Sequence, residues 1–245
     1  MPVVVEQETA EVQQPYQELV KPWRAGMAKI GRALDERSYQ LRQREREQRA
    51  LEAVAAEINT TSMNATEMAL QILSKTAHLG MSASIDLVAK RTGETVIADG
   101  EATGCTDRAN AFMAIAGRVN LKATYVQTVA QDSMENPSGK LLSHALARIQ
   151  TGQGDILADP TTGWIERDGV WTDEQGRTHG EVYDEHGRIN KPRQNGVYKF
   201  HVICEGRNSR DVGFGRNPDE SMREWTARIR LRAGEYWGQN RERFV

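Results

Sequence analysis

The chain has 245 residues, of which 38% are apolar, and its net charge at pH 7 is −2. This length and composition allow one large domain, or one domain with an extension, and a sizeable core that needs no disulfide or structural metal. No run of about 18 apolar residues occurs, which excludes a predicted transmembrane helix.

The two cysteines, Cys105 and Cys204, lie far apart in the chain. The N-terminus has neither the basic region nor the long apolar stretch of a secretory signal peptide. We therefore expect reduced thiols, a cytoplasmic location and no contact with a membrane.

Charge is unevenly distributed along the chain. Residues 188–245 carry 13 Lys and Arg against 7 Asp and Glu, whereas the preceding 187 residues carry 19 against 27. A basic C-terminal part can face nucleic acid or another acidic partner. Because motifs for aromatic base stacking are absent, we favour a solvated surface that also contacts the acidic part of the same chain. We expect no nucleic-acid partner.

The first 60 residues are predicted to form a helical extension to a domain that covers residues 61–245. Pro15 and Pro22 are expected to interrupt any long helix near the N-terminus. Residues 33–57 are strongly helical in composition, with few apolar side chains in the middle. A helix of this kind is solvated or pairs by charge with another chain. We therefore expect an exposed arm able to hold a protein partner, rather than a dimer zipper.

The domain is predicted to begin with a capped helix. Asn64 and Glu67 have the spacing of a capping box, and apolar residues then recur on one helical face as far as Thr76. The next part of the chain has weaker patterns. Residues 91–95 are predicted to form a turn, and residues 96–97 a short extended piece.

Residues 100–163 carry the clearest alternation of elements. A helix is predicted to begin at Cys105 and to end at Asn120, which is suited to a left-handed cap. Strands are predicted at residues 122–129, 142–150 and 155–159. A helix followed by neighbouring antiparallel strands indicates an α+β fold.

The sequence beyond Thr162 is rich in turn signals. Its best strand candidate covers residues 197–204. The chain then ends in a basic helix, predicted from Glu220 to Gly234.

Cys105 is the first candidate catalytic residue. Because it begins a helix, the unpaired backbone N–H groups there favour its thiolate, which is the reactive form of a cysteine. Gly104 leaves room for a substrate carbonyl, and the backbone N–H of Cys105 is placed to contribute to an oxyanion hole. A lone cysteine is more often a small buried apolar side chain, so the assignment depends on its partners.

His144 and Asp159 are the candidate partners, a base and the carboxylate that orients it. If a four-residue connection joins the two strands, Gln150 faces Asp155 and Asp159 lies opposite Leu146. His144 is two residues from Leu146 and on the same face, so its imidazole is within reach of the Asp159 carboxylate. A slip of one residue would place the two side chains on opposite faces.

These residues resemble the transglutaminase-like superfamily. The resemblance is carried by three short motifs: Gly104-Cys105-Thr106-Asp107-Arg108-Ala109, Ser143-His144-Ala145 and Leu157-Ala158-Asp159-Pro160-Thr161. It implies a papain-like core in which the nucleophile helix packs on an antiparallel sheet. Cys105 would be the nucleophile, His144 the general base and Asp159 its orienting acid, without a cofactor or metal. Family activities include peptide hydrolysis, cross-linking, deamidation and glycan–amide cleavage, through an acyl-enzyme or a close equivalent.

Two positions depart from the family pattern. Ala145 follows the histidine where an aromatic residue is common, and no Trp or Tyr lies between Tyr39 and Cys105 to complete the oxyanion hole. Gln71 is the remaining candidate donor. The simpler interpretation of Gln71 is a polar residue on the solvated side of its helix.

The sequence therefore predicts a thiol enzyme that cleaves or transfers a peptide, isopeptide or glutamine-type amide of a protein or peptide substrate. Hydrolysis is favoured over cross-linking because water needs no second binding groove. One alternative is a catalytically inactive protein of the same fold, which binds a partner through its charged helix and basic C-terminus. Another is an enzyme whose N-terminal arm covers the cleft until it is displaced.

Overall fold

The computed structural model describes residues 8–58, 60–136, 138–193 and 196–243. Residues 1–7 and 59 of the predicted extension therefore lie outside the described part. The chain divides into two compact units, Met1–Arg46 and Glu47–Val245. None of the described helices is long and apolar enough to cross a membrane.

The described residues form six α-helices. They are α1 (Glu8–Ala56), α2 (Ala65–Ala77), α3 (Gly93–Asp99), α4 (Cys105–Arg118), α5 (Gln131–Glu135) and α6 (Met222–Asn240). Short 3-10 turns lie at Ile85–Leu87 and Arg241–Arg243.

The strands form one large antiparallel sheet and one small parallel pair. The pair is β1 (Gly80–Met81) with β2 (Glu101–Ala102). The large sheet contains β3 (Ala123–Ala130), β4 (Ser143–Thr151), β5 (Gly154–Asp159), β6 (Trp164–Arg167), β7 (Val170–Thr172), β8 (Thr178–Glu181), β9 (Ile189–Arg193) and β10 (Gly196–Gly206). Its strand order is β8-β7-β6-β5-β4-β3-β10-β9. The predicted α+β class with an antiparallel sheet is confirmed.

Helix α1 passes through Pro15 and Pro22 without a break, so the predicted interruption there is wrong. A proline inside a helix removes one backbone hydrogen bond and costs about 3 kcal/mol. The residues around both prolines are mostly Glu, Gln, Ala, Leu and Lys, which are strong helix formers. Strong helix formers flank both prolines, and the helix continues past them in spite of these losses.

The last turns of α1, from Glu47 onwards, belong to the second unit and pack on its core. Ala50, Leu51, Val54 and Ala55 are partly buried and pack against the hydrophobic cluster that includes residues of α2 and α4. Glu47 also accepts a hydrogen bond of 2.9 Å from the Thr95 hydroxyl. The prediction of an exposed arm through residue 57 is therefore wrong for these turns, because a short apolar face begins at Ala50.

Helix α3 replaces the turn and extended piece predicted for residues 91–97. The Thr92 hydroxyl caps it by accepting from the Thr95 backbone N–H, and Gly100 ends it in the left-handed region with φ of 71°. A Cβ on Gly93 would lie 2.1 Å from the Asn110 carbonyl oxygen, so only glycine allows α3 to approach α4 this closely. A segment of seven residues is too short for a helical periodicity to be recognised in the sequence.

Two predicted helix boundaries are confirmed. Asn64 and Glu67 form a complete capping box at the start of α2, with reciprocal bonds of 3.0 and 2.9 Å. Helix α4 begins at Cys105. The following Asn120 has a positive φ of 58°, as a left-handed cap requires.

The register of the β4–β5 hairpin is confirmed, with Gln150 facing Asp155 and Ala147 facing Ala158. One face of the sheet packs on α2 and α4 through side chains that include Ala147. The other face carries Leu146 and Leu157, which pack in a separate core. Because the sheet has a core on each side, the alternation along β4 decides which core each side chain enters.

Candidate active site

The N-terminus of α4 is fixed by a buried carboxylate two residues beyond Cys105. Asp107 is fully buried, and its Oδ2 accepts from the backbone N–H of Thr103 at 3.0 Å and from the Thr103 hydroxyl at 2.6 Å. Arg91 donates to the same oxygen at 2.8 Å. These bonds hold the turn before the helix, so the position of the Cys105 backbone is determined by buried polar contacts.

Cys105 combines a packed position with an open approach. Its side chain is half-buried against the core below α4, and its Sγ lies 4.0 Å from the Ser143 carbonyl oxygen. A Cβ placed on Gly104 would meet no heavy atom within 4 Å. The space beside the helix N-terminus is therefore open, as access of a substrate carbonyl to the thiol requires.

His144 and Asp159 are joined as the hairpin register predicts. His144 Nε2 lies 2.9 Å from Asp159 Oδ2, and both side chains are buried. The other carboxylate oxygen, Oδ1, accepts from the Thr161 backbone N–H at 2.9 Å. Thr128 and Gln127 donate to the His144 carbonyl at 2.9 and 3.1 Å, which fixes the strand at the base of the imidazole.

Lys191 is a fourth member of this cluster that the sequence did not indicate. It lies on β9, is only 5% exposed, and its Nζ is 2.6 Å from Asp159 Oδ2. The same Nζ contacts His144 Nε2 and is 3.4 Å from His144 Nδ1. No motif surrounds Lys191, and β9 lies at one edge of the sheet, with β10 and β3 between it and β4. The two ends of the sheet approach each other, where the Asn190 backbone N–H donates to the Val182 carbonyl at 2.8 Å, and this closure brings Lys191 to the hairpin.

The electrostatics of the cluster favour a reactive thiol. Burial raises the pKa of Cys105, but a hydrogen bond with His144 and the positive charges of His144 and Lys191 bring that pKa below its usual value. At Cys204 burial outweighs the charge of Arg232 and raises the thiol pKa to about 11.

The imidazole and the carboxylate are tuned by the same neighbours. Burial lowers the pKa of His144, but Asp159 more than compensates, and the net effect is a raised pKa in spite of the charge of Lys191. Burial alone would raise the pKa of Asp159, yet His144 and Lys191 together hold it well below the usual range. The carboxylate is therefore ionised whenever the protein is folded near neutral pH.

The three predicted site residues thus meet at one place, on α4, β4 and β5. No family model, curated protein or solved structure matches the chain. Any function assigned to the site must therefore come from its own geometry and chemistry. Gln71 is half-buried on α2, and its role as an oxyanion donor stays a prediction.

Proposed function

We propose that this protein is a transglutaminase-like thiol enzyme that breaks an amide bond of a peptide, isopeptide or glutamine side chain through an acyl-enzyme on Cys105. The observation that carries the proposal is the joint geometry of the thiol, imidazole and carboxylate. Cys105 begins α4 with a lowered thiol pKa, and His144 lies between it and Asp159. In this proposal the sheet and α4 correspond to a papain-like core.

Acylation begins with the thiolate. His144 accepts the thiol proton of Cys105 on Nδ1, while Nε2–H donates to Asp159, which fixes the tautomer. The sulfur attacks the amide carbon, a C–S bond forms, and the carbonyl oxygen becomes an oxyanion. The first backbone N–H groups of α4 have no partner within the helix, and in this proposal they stabilise the developing charge.

Collapse of the tetrahedral intermediate breaks the C–N bond. The imidazolium of His144 gives its proton to the leaving amine, which departs neutral, and a thioester remains on Cys105. Water then attacks the thioester carbon with His144 again as the base, releasing a carboxylic acid and restoring the thiol. An amine in place of water would give cross-linking, but hydrolysis requires no second binding groove.

The proposed substrate is a protein or peptide, and we propose a cytoplasmic location in keeping with free Cys105 and Cys204. The chemistry uses side chains and backbone groups of this chain alone. Among the residues that the structure describes, no group of three His, Cys, Asp or Glu side chains is arranged to hold a metal ion.

An activated ester tests the acyl chemistry without knowledge of the natural substrate. With p-nitrophenyl acetate, we expect the protein to release more than one equivalent of p-nitrophenol per chain and to carry a transient acetyl group on Cys105. Cys105→Ala should reduce this release to the uncatalysed background, since no other described thiol has a lowered pKa. Cys204→Ala is the matched control and should retain the full rate.

The second candidate, a partner-binding protein without turnover, is favoured by one observation on the N-terminal unit. Helix α1 exposes about half or more of Met27, Ile30, Leu34 and Leu41, which recur at spacings of three, four and seven residues. The ester experiment separates the two functions. A release that stops at one equivalent, or that is unaffected by Cys105→Ala, would favour binding and contradict the proposed enzyme.

A further inference from the structure

Three strands bring three ionisable side chains to one buried point. Lys191 from β9, His144 from β4 and Asp159 from β5 are each 5% exposed or less. Buried lysines are uncommon, and they are found where a carboxylate compensates the charge. Here the compensating carboxylate is the same one that orients His144, so Asp159 Oδ2 contacts both cationic groups.

This sharing changes the charge balance of the site. In a cluster of thiol, imidazole and carboxylate alone, the negative charge of Asp159 supports the imidazolium without opposition. With Lys191 beside it, the carboxylate already has the Lys191 ammonium group as a partner at 2.6 Å. A proton on His144 then experiences the Lys191 ammonium within contact distance, whereas a thiolate on Cys105 is attracted to that ammonium.

The other ionisable groups near the cluster do not supply this charge. Tyr125 on β3 interacts with Cys105, but burial raises its pKa well above the usual value, so it is neutral. Near the β9–β10 pair, Arg188 and Lys199 form ion pairs with Asp184, with nitrogen–oxygen distances of 2.7 and 3.3 Å. On α4, Asp107 is paired with Arg91. Lys191 is thus the cation in direct contact with both Asp159 and His144.

We propose that Lys191 is a positioning residue of the catalytic centre: its ammonium group holds the Asp159 carboxylate beside His144 and provides the fixed positive charge that favours the Cys105 thiolate. The inference rests on the proposed function, because it assigns Lys191 to the same reaction. The role proposed for Lys191 differs from that of a purely structural ion pair in one respect. A structural pair would affect stability alone, whereas this charge also sets the pH at which the thiol ionises.

The test is the pH dependence of the iodoacetamide alkylation rate of Cys105, measured between pH 4 and 10. We expect Lys191→Gln, which keeps a donor for Asp159 but removes the charge, to shift the acidic limb of the profile upward by about one pH unit. The titration of His144 should move in the same direction, because Lys191 lowers both pKa values. Lys191→Arg retains the charge, so its pH profile should remain close to that of the parent. Lys199→Gln is the matched surface control, and its pH profile should not shift.

The outcomes separate the two proposals. If the parent alkylates at low pH and the Lys191→Gln profile coincides with it, the role of Lys191 is wrong while the thiol enzyme stands. If alkylation of Cys105 in the parent itself requires a pH above 8, the proposed function is contradicted, and the role of Lys191 that rests on it is contradicted as well. A circular dichroism melt shows whether each variant is folded. Should Lys191→Gln not fold, the neutral variant Lys191→Met takes its place: an upward shift of the acidic limb supports the fixed charge, and a profile that coincides with the parent overturns it.

Discussion

Replacing His144 with alanine is expected to slow the alkylation of Cys105 by iodoacetamide at pH 6.5 by about 10- to 100-fold. The hydrogen bond and the positive charge of His144 are the largest influences that lower the pKa of Cys105, and burial opposes them. A thiol with a pKa near 8.5 is only about 1% ionised at pH 6.5. The more basic thiolate is a stronger nucleophile, which offsets part of that loss.

The control for this substitution is His186→Ala, which removes an exposed imidazole in the turn before β9. It should leave the alkylation rate of Cys105 unchanged. Because His144 is buried, His144→Asn is a second variant that keeps a polar side chain in the strand. If both His144 variants alkylate at the parent rate while folded, the imidazole does not activate the thiol and the triad is contradicted.

Replacing Asp159 with alanine is expected to destabilise the fold by about 3–5 kcal/mol in urea unfolding at pH 7. The substitution leaves the Lys191 ammonium buried without its carboxylate, and breaking a buried ion pair from one side costs about this much. It also removes the acceptor for His144 Nε2 and for the Thr161 backbone N–H. Asp155→Ala, on the exposed end of the same strand, is the control and should change stability little.

A variant that also replaces Lys191, the partner of Asp159, gives a sharper comparison of stability. The double variant Asp159→Leu with Lys191→Met removes both charges and should be more stable than Asp159→Ala, because no ion remains unpaired.

The pH dependence of the stability follows from the lowered pKa of Asp159. Its contribution is fully present above the unfolded pKa of about 4 and is lost as pH falls below it. A parent and an Asp159→Ala protein with equal stability at pH 7 would contradict the buried pair.

Much of the site could be predicted because it depends on short-range rules. The start of α4 places Cys105 at a helix N-terminus, and alternation along a hairpin places His144 and Asp159 on one face. The short connection between the two strands sets their register, and a slip of one residue would move Asp159 to the other face of the sheet. Local periodicity and a short connection are therefore sufficient for three side chains. The pairing continues one step beyond the predicted four-residue connection, to Thr151 and Gly154, which leaves the register unchanged.

The remaining features depend on contacts between segments distant in sequence. Lys191 reaches the hairpin because the edge strand β9 meets the opposite end of the sheet, where Asn190 is bonded to Val182, and no local pattern encodes that contact. Helix α3 is stable because Gly93 lets it approach α4, a contact that seven residues cannot indicate alone. Leu51 likewise packs on a hydrophobic cluster to which segments distant in sequence contribute. Sequence periodicity describes each element but not the neighbour it meets.

The most direct measurement of the central claim compares the two thiols of the same chain. The folded protein is treated with limiting iodoacetamide at pH 6.5, and the labelled cysteine is identified by peptide mass spectrometry. With its lowered pKa, Cys105 should be alkylated, while Cys204, whose pKa is raised to about 11, should remain unmodified until the protein is unfolded. Equal labelling of both residues, or labelling of Cys105 only above pH 8, would contradict an activated Cys105 thiol.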